Sequence, residues 1–324
     1  IAVTQYDRPK NDGVDASRRY SAHAPHILTF LARHRTALAS HIQRYFPDLF
    51  TTDRDARRHL RTLHFADELR ILTYNDPRRP NVYMITQRGL DHARDFTTEA
   101  IPVSRDDPNG DHILHELLIT EVAVSRHEFF RSHPDFQSHW EMRFGFSDIP
   151  GFENLIPDYA HLYQGVHGSL FDFVEVLSGE RSITRVKQKL EKYSEWGESA
   201  AAHEFLTTLY EYFGAATPRP VFRLLIVVHN RNLIGADRPW ERQVLSATFS
   251  VPESLQRRIW TTTNAALHQA KSIDGPIWRS AADLTSYRLR VLDLAKRQRT
   301  KVLSEILERA PKHRLFTFEN QPAR

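Results

Sequence analysis

The chain has 324 residues, 40% hydrophobic and 26% charged, a globular composition with enough length for two ordinary cores. No stretch reaches the about 18 uninterrupted apolar residues of a membrane helix. The absence of cysteine excludes disulfides, cysteine zinc sites and thiol nucleophiles and suits a reducing compartment. The formal net charge is only +4, but arginine far outnumbers lysine, and its planar fork suits phosphate. With no basic and apolar leader after Ile1, no secretion signal is expected and the cytoplasm is the default location.

Residues 1–22 read as an N-terminal arm. From Pro25 to Phe46 the spacing predicts two short helices, the first burying Ile27, Leu28, Phe30 and Leu31, the second Leu38, Ile42 and Phe46. A third helix, "TTDRDARRHLRTLHFADE", starts at Thr52 or Asp53 and has Ala56, Leu60 and Leu63 as its buried stripe, with Arg54, Arg57, Arg58 and Arg61 projecting elsewhere. Strands at Leu69 to Tyr74 and Asn81 to Thr86 follow, joined by the turn "NDPRRP", and a further helix begins after Gly89.

Three helices and a basic-tipped hairpin make the pattern of a winged helix-turn-helix domain, expected over 23–95 with an α+β fold. The third helix would enter the major groove of double-stranded DNA, and Arg78 and Arg79 on the wing would reach phosphate or the minor groove. A solvated helix face, or a winged helix used for protein contact, is the plain alternative.

Residues 96–110 are polar and turn-rich and read as a linker, and a second domain is expected over 111–310. It opens with an amphipathic helix, "DHILHELLITEVAVSRHEFFRSH", buried through Ile113, Leu117, Val124 and Phe129. His112 and His115 stand three apart on it, a spacing zinc could use, but no third ligand follows at a recognisable distance. "HWEMRFGF" reads as a short strand. "LIPDYAHLY" and "SLFDFVEVLS" then form a hairpin across "QGVHG".

Alternation puts Asp158 on one face with Ala160 and Leu162, and Glu175 with Phe173 and Leu177. If the strands pair across that turn, both acids converge at one sheet edge, where two carboxylates and a substrate phosphate suffice to hold magnesium. A lysine-rich helix follows, with Lys189 flanking the apolar stripe Ile183, Val186, Leu190 and Tyr193 and Lys187 on the other flank. Glu121, on the preceding helix, is a candidate further carboxylate or hydrogen-bond partner. Tyr163 and Tyr193 lie near the acids, and nothing singles either out as a nucleophile.

"PD", then "EV" after a hairpin, then a lysine-bearing helix resembles the PD-(D/E)xK nuclease fold. A wing of the form Y-x-I/L-T-x-x-G, followed by "IPD", F-x-x-E-V and K-L-x-x-Y, more closely resembles the replication-relaxation family of plasmid and mobile-element proteins, over roughly residues 23 to 230. The resemblance implies an α/β restriction-endonuclease-like domain with a mixed central sheet. Asp158 and Glu175 would be its catalytic acids and the ligands of Mg2+ or Mn2+, with Lys189 as the helix lysine. The departure is Leu177, where the nuclease fold places lysine and the family often an acid.

The rest of the domain adds no chemistry. "VFRLLIVVHN" at 221–230 is a buried central strand, "SLQRRIWTTTNAALHQA" a helix, "GPIWRSA" an edge strand and "SYRLRVLDLAKRQRTKVLSEILERA" a long helix. That last helix carries a second basic cluster, Lys296, Arg297, Arg299 and Lys301, suited to DNA backbone or to solvent alike. Residues 311–324 read as a tail. The expected activity is DNA processing by a metal-dependent nuclease-like site, or, alternatively, DNA binding by a replication or transcription regulator without catalysis. Double-stranded DNA is the expected partner, with other replication or transfer proteins and a second copy of the chain as further candidates and no membrane.

Overall fold

The computed structural model describes residues 3–5, 22–74, 80–97, 110–165, 168–178, 183–214, 222–229, 240–270, 272–275, 277–282, 312 and 314. Arg78, Arg79, the cluster at 296–301 and the long helix expected over 286–310 lie outside the described residues. The chain divides into two compact units, 1–128 and 129–324.

Unit 1 runs β1 (Val3–Gln5), α1 (Ala24–His34), β2 (Thr36–Ala37), α2 (Ala39–Tyr45), α3 (Asp53–Phe65), β3 (Leu69–Tyr74), β4 (Val82–Ile85), α4 (Gln87–Ala93) and most of α5 (Gly110–Ser132). Its four-stranded sheet has the order β1-β3-β4-β2, antiparallel throughout. The expected stripes form the core: Ile27, Leu28, Phe30 and Leu31 of α1 pack with Ile42 of α2, Ala56, Leu60 and Leu63 of α3, and Val124 of α5.

Helix α3 begins where expected, because Thr52 Oγ1 accepts from the Asp55 N–H at 3.2 Å, and Asp53 and Asp55 complement the helix dipole in the first turn. The fourth helix starts earlier than expected, at Gln87, with Thr86 as its cap. Gly89 lies inside it, where a Cβ would stand 2.3 Å from the Glu68 carbonyl oxygen; the bare backbone is what lets α4 approach so closely. The division between units falls within α5, whose Ile113, Leu117 and Val124 enter unit 1 clusters.

Unit 2 runs β5 (Gln137–Met142), β6 (Tyr159–Gly165), β7 (Gly168–Ser178), α6 (Ile183–Gly197), α7 (Ala200–Tyr212), β8 (Phe222–His229), α8 (Trp240–Thr248), α9 (Glu253–Gln256), β9 (Ile259–Thr263), α10 (Asn264–Ala270) and β10 (Arg279–Ser280). The six-stranded sheet has the order β10-β9-β8-β7-β6-β5 and is mixed: β7, β8 and β9 run parallel, and the remaining pairs are antiparallel. Strand β8, with a parallel neighbour on each side, is buried along all but its last residue, as its continuous apolar run predicts. Helices α6 to α9 cover the sheet face that carries Ala160, Leu162, Phe171 and Phe173.

The helix expected over 254–270 is overturned. Its middle, "IWTTT", is strand β9, paired parallel to β8, where one aromatic and four β-branched residues suit a pleated, buried position.

Candidate functional site

The hairpin of β6 and β7 brings the two acids together. Tyr159 pairs with Val174 and Ala160 with Phe173, so the same antiparallel register sets Asp158 across from Glu175, on the face shared with Ala160 and Phe173. Asp158, half-buried at the mouth of β6, accepts the Val176 N–H at 2.8 Å through Oδ2.

Glu175 lies beneath α6 and is 3% exposed. Its Oε1 accepts the Tyr193 hydroxyl at 2.5 Å and its Oε2 the Lys189 ammonium. Lys189 and Tyr193 are four apart, so one helix face delivers both donors. Burial pushes the Glu175 carboxyl up to about 7; the Lys189 charge opposes that shift, and the Asp158 charge adds to it. Burial, then the charge and hydrogen bond of Glu175, hold the Tyr193 phenol well above its usual range. The cluster is therefore a hydrogen-bonded acid, amine and phenol, reaching solvent through Asp158 and the 23% exposed Lys189 side chain.

Magnesium and manganese take oxygen ligands, and adjacent carboxylates are donors of that kind. As they stand the two acids do not fit such an ion, because both Glu175 oxygens already hold donors and Asp158 holds a main-chain N–H. Leu177, two residues beyond Glu175 on the same face, is packed in the apolar core and supplies neither charge nor ligand. Among the described residues no group of three histidines or acids could hold a metal ion.

Glu121 is engaged elsewhere. It accepts two bonds from Arg44 Nη1 at 2.8 Å each and lies 3.0 Å from His41 Nε2, within unit 1. Arg44 also donates to Glu128 at 2.6 and 3.0 Å, which fixes α2 against α5. Burial alone would raise the Glu121 carboxyl, but the hydrogen bond from His41 and the charges of His41 and Arg44 outweigh it and pull it down to about 2.

On α3 the four arginines stand at i, i+3, i+4 and i+7, one continuous stripe, and all are exposed. Arg57 bonds Asp53 at 2.7 Å and Arg58 bonds Asp55 at 2.8 Å, both within the helix. On the sheet face of unit 2 opposite to Glu175, residue-by-residue reading missed a buried fork. Arg223 donates to both Asp172 oxygens at 2.9 and 3.0 Å and to the Tyr163 hydroxyl at 2.8 Å. Only the β7–β8 register, which pairs Asp172 with Arg223, could have revealed it.

The profile of the replication-relaxation family matches residues 28–208, more than half of the chain. The chain belongs to the replication-relaxation family. Membership points to a role in the replication or relaxation of plasmid or mobile-element DNA. The matched stretch of this replication-relaxation protein holds the arginine stripe of α3 and all four members of the acid cluster. No curated protein and no solved structure matches the chain. Among the described residues no helix is long and apolar enough to cross a membrane.

Proposed function

We propose that the protein grips duplex DNA of a plasmid or mobile element through unit 1, a winged helix with α3 as its recognition helix, while unit 2 is a PD-(D/E)xK-type scaffold without cleavage activity. The observation that carries the reading is the α3 stripe: Arg54, Arg57, Arg58 and Arg61 exposed on one side, Ala56, Leu60 and Leu63 buried on another. Intrahelical pairs such as Arg57 with Asp53 are worth only about 0.2–0.5 kcal/mol, so phosphate displaces them at little cost. With neither asparagine nor glutamine on α3, contact is to phosphate or to guanine edges. Unit 2 is read as non-catalytic because each Glu175 oxygen is engaged, one by Lys189 and one by Tyr193, and Leu177 stands where the nuclease fold needs a polar group.

Replacing Arg57 and Arg58 by alanine tests the first half. Each lost phosphate contact lowers the slope of log affinity against log salt by about 0.9, so the double variant is expected to lose about two units of slope in a fluorescence anisotropy titration of a labelled duplex. An unchanged slope removes α3 from the interface.

A second reading, divalent-metal nicking, is favoured by the convergence of Asp158, Glu175 and Lys189 on one sheet face. Asp158 and Glu175 would then hold Mg2+ or Mn2+ once Lys189 or Tyr193 had let go of Glu175.

A further inference from the structure

Helix α6 carries two cations, Arg185 and Lys192, that neither the core nor the acid cluster accounts for. Arg185, Lys189 and Lys192 stand at i, i+4 and i+7, and at 100° per residue they form one ridge beside the buried stripe of Val186, Leu190 and Tyr193. Lys187 falls on the opposite flank, and Glu191 and Glu195 on the far side. The middle cation of the ridge, Lys189, reaches Glu175, so the ridge passes directly by the Asp158 and Glu175 pair.

Arg185 and Lys192 are exposed, and among the described residues no acid forms an ion pair with either, whereas Arg57 and Arg58 of α3 are paired within their own helix. Helix stability does not explain the arrangement: the first turn of α6 contains no acid, and a cation there opposes the helix dipole. From Arg185 to Lys192 the ridge rises about 10 Å, the length of about three phosphates of one DNA strand at 3.4 Å each.

We propose that this ridge is a second nucleic-acid contact, along which a phosphodiester backbone lies past the Asp158 and Glu175 pair. It rests on the reading of DNA as the ligand and adds the surface of unit 2 that takes it. Duplex and single strand offer the same phosphate chemistry, and their salt dependences differ. In anisotropy titrations of the full chain from low to high salt, Arg185→Ala with Lys192→Ala is expected to reduce the slope by about 1.8 on a duplex if the ridge holds double-stranded DNA. The expected loss is about 1.4 on an unpaired oligonucleotide if it holds single-stranded DNA.

Lys187→Ala, on the other flank, leaves the slope as it is, and Arg185→Lys with Lys192→Arg retains it, which separates loss of charge from loss of fold. A double alanine variant with the parent slope on both ligands overturns the proposal, as does a Lys187→Ala variant that loses as much slope per residue. The α3 arginines are scored separately: loss of slope in the Arg57 and Arg58 variant with none in the Arg185 and Lys192 variant leaves the winged-helix reading standing and the ridge refuted, and the converse refutes α3 alone.

Discussion

Each unit buries a glutamate against a cationic side chain, yet the two carboxyls are driven in opposite directions, Glu121 of unit 1 down to about 2 and Glu175 of unit 2 up to about 7. Burial raises both. Glu121 overcomes it because His41 supplies a hydrogen bond and charge, and a guanidinium that is always charged donates to both its oxygens. Glu175 has an amine and a phenol, but it is more deeply buried and faces Asp158, a like charge across the strand pair. What differs is the depth of burial and the charge around each carboxyl: unit 1 uses its glutamate as an anion that clamps two helices, and unit 2 holds its glutamate, with a raised carboxyl, beneath a helix.

The largest effect that would break this contrast comes from Arg44→Ala. It strands Glu121 and Glu128 without their shared cation, and removing one partner of a largely buried pair is expected to cost unit 1 about 3 kcal/mol. All five tryptophans lie beyond residue 128, so their fluorescence follows unit 2 while helical circular dichroism follows both. In urea the variant should move the dichroism transition and leave the fluorescence transition in place; coincident loss of both would mean that the clamp is not local to unit 1.

Acid and base should next pull the two units apart. Because the Glu175 carboxyl is raised in the folded state, its contribution is fully present below about pH 4.5 and is lost as pH rises to about 7, a fall in the fluorescence transition that Glu175→Gln should flatten. Glu121 is depressed, so its contribution is present above about pH 4.5 and is lost as pH falls toward about 2, in the dichroism transition. Matching pH profiles for the two signals would contradict the contrast. A smaller effect is expected of Tyr193→Phe, which removes one donor from Glu175 and should cost unit 2 about 1–2 kcal/mol. No loss would place the phenol outside the cluster.

Much of this is legible in the sequence, and the rest is hidden for identifiable physical reasons. The stripe of Ala56, Leu60 and Leu63, the unbroken run of β8 and the alternation around Asp158 and Glu175 are local patterns, and local patterns declare their faces. Tyr193 was visible as the residue four beyond Lys189, but its bond to Glu175 was not, since it depends on how α6 lies on the sheet. The partners of Glu121 are not legible in the sequence, because Arg44 precedes it by 77 residues, a separation that no spacing rule reaches. Strand β9 was hidden inside a run flanked by helix formers, and the β-branched "TTT" was the signal to heed. Helix α7 leaves a thin signal, since "AAAHEFLTTLYEY" buries only Ala202, Leu206 and Tyr210, spaced four apart.

The most direct test of the closed acid pair is incubation of the full chain with supercoiled plasmid in magnesium or manganese, with and without EDTA, read on an agarose gel beside a binding assay. The account predicts plasmid that is bound yet remains supercoiled under every metal condition. Open circles that appear with the metal, vanish with EDTA and are absent with Asp158→Ala would contradict it and establish the nicking reading instead.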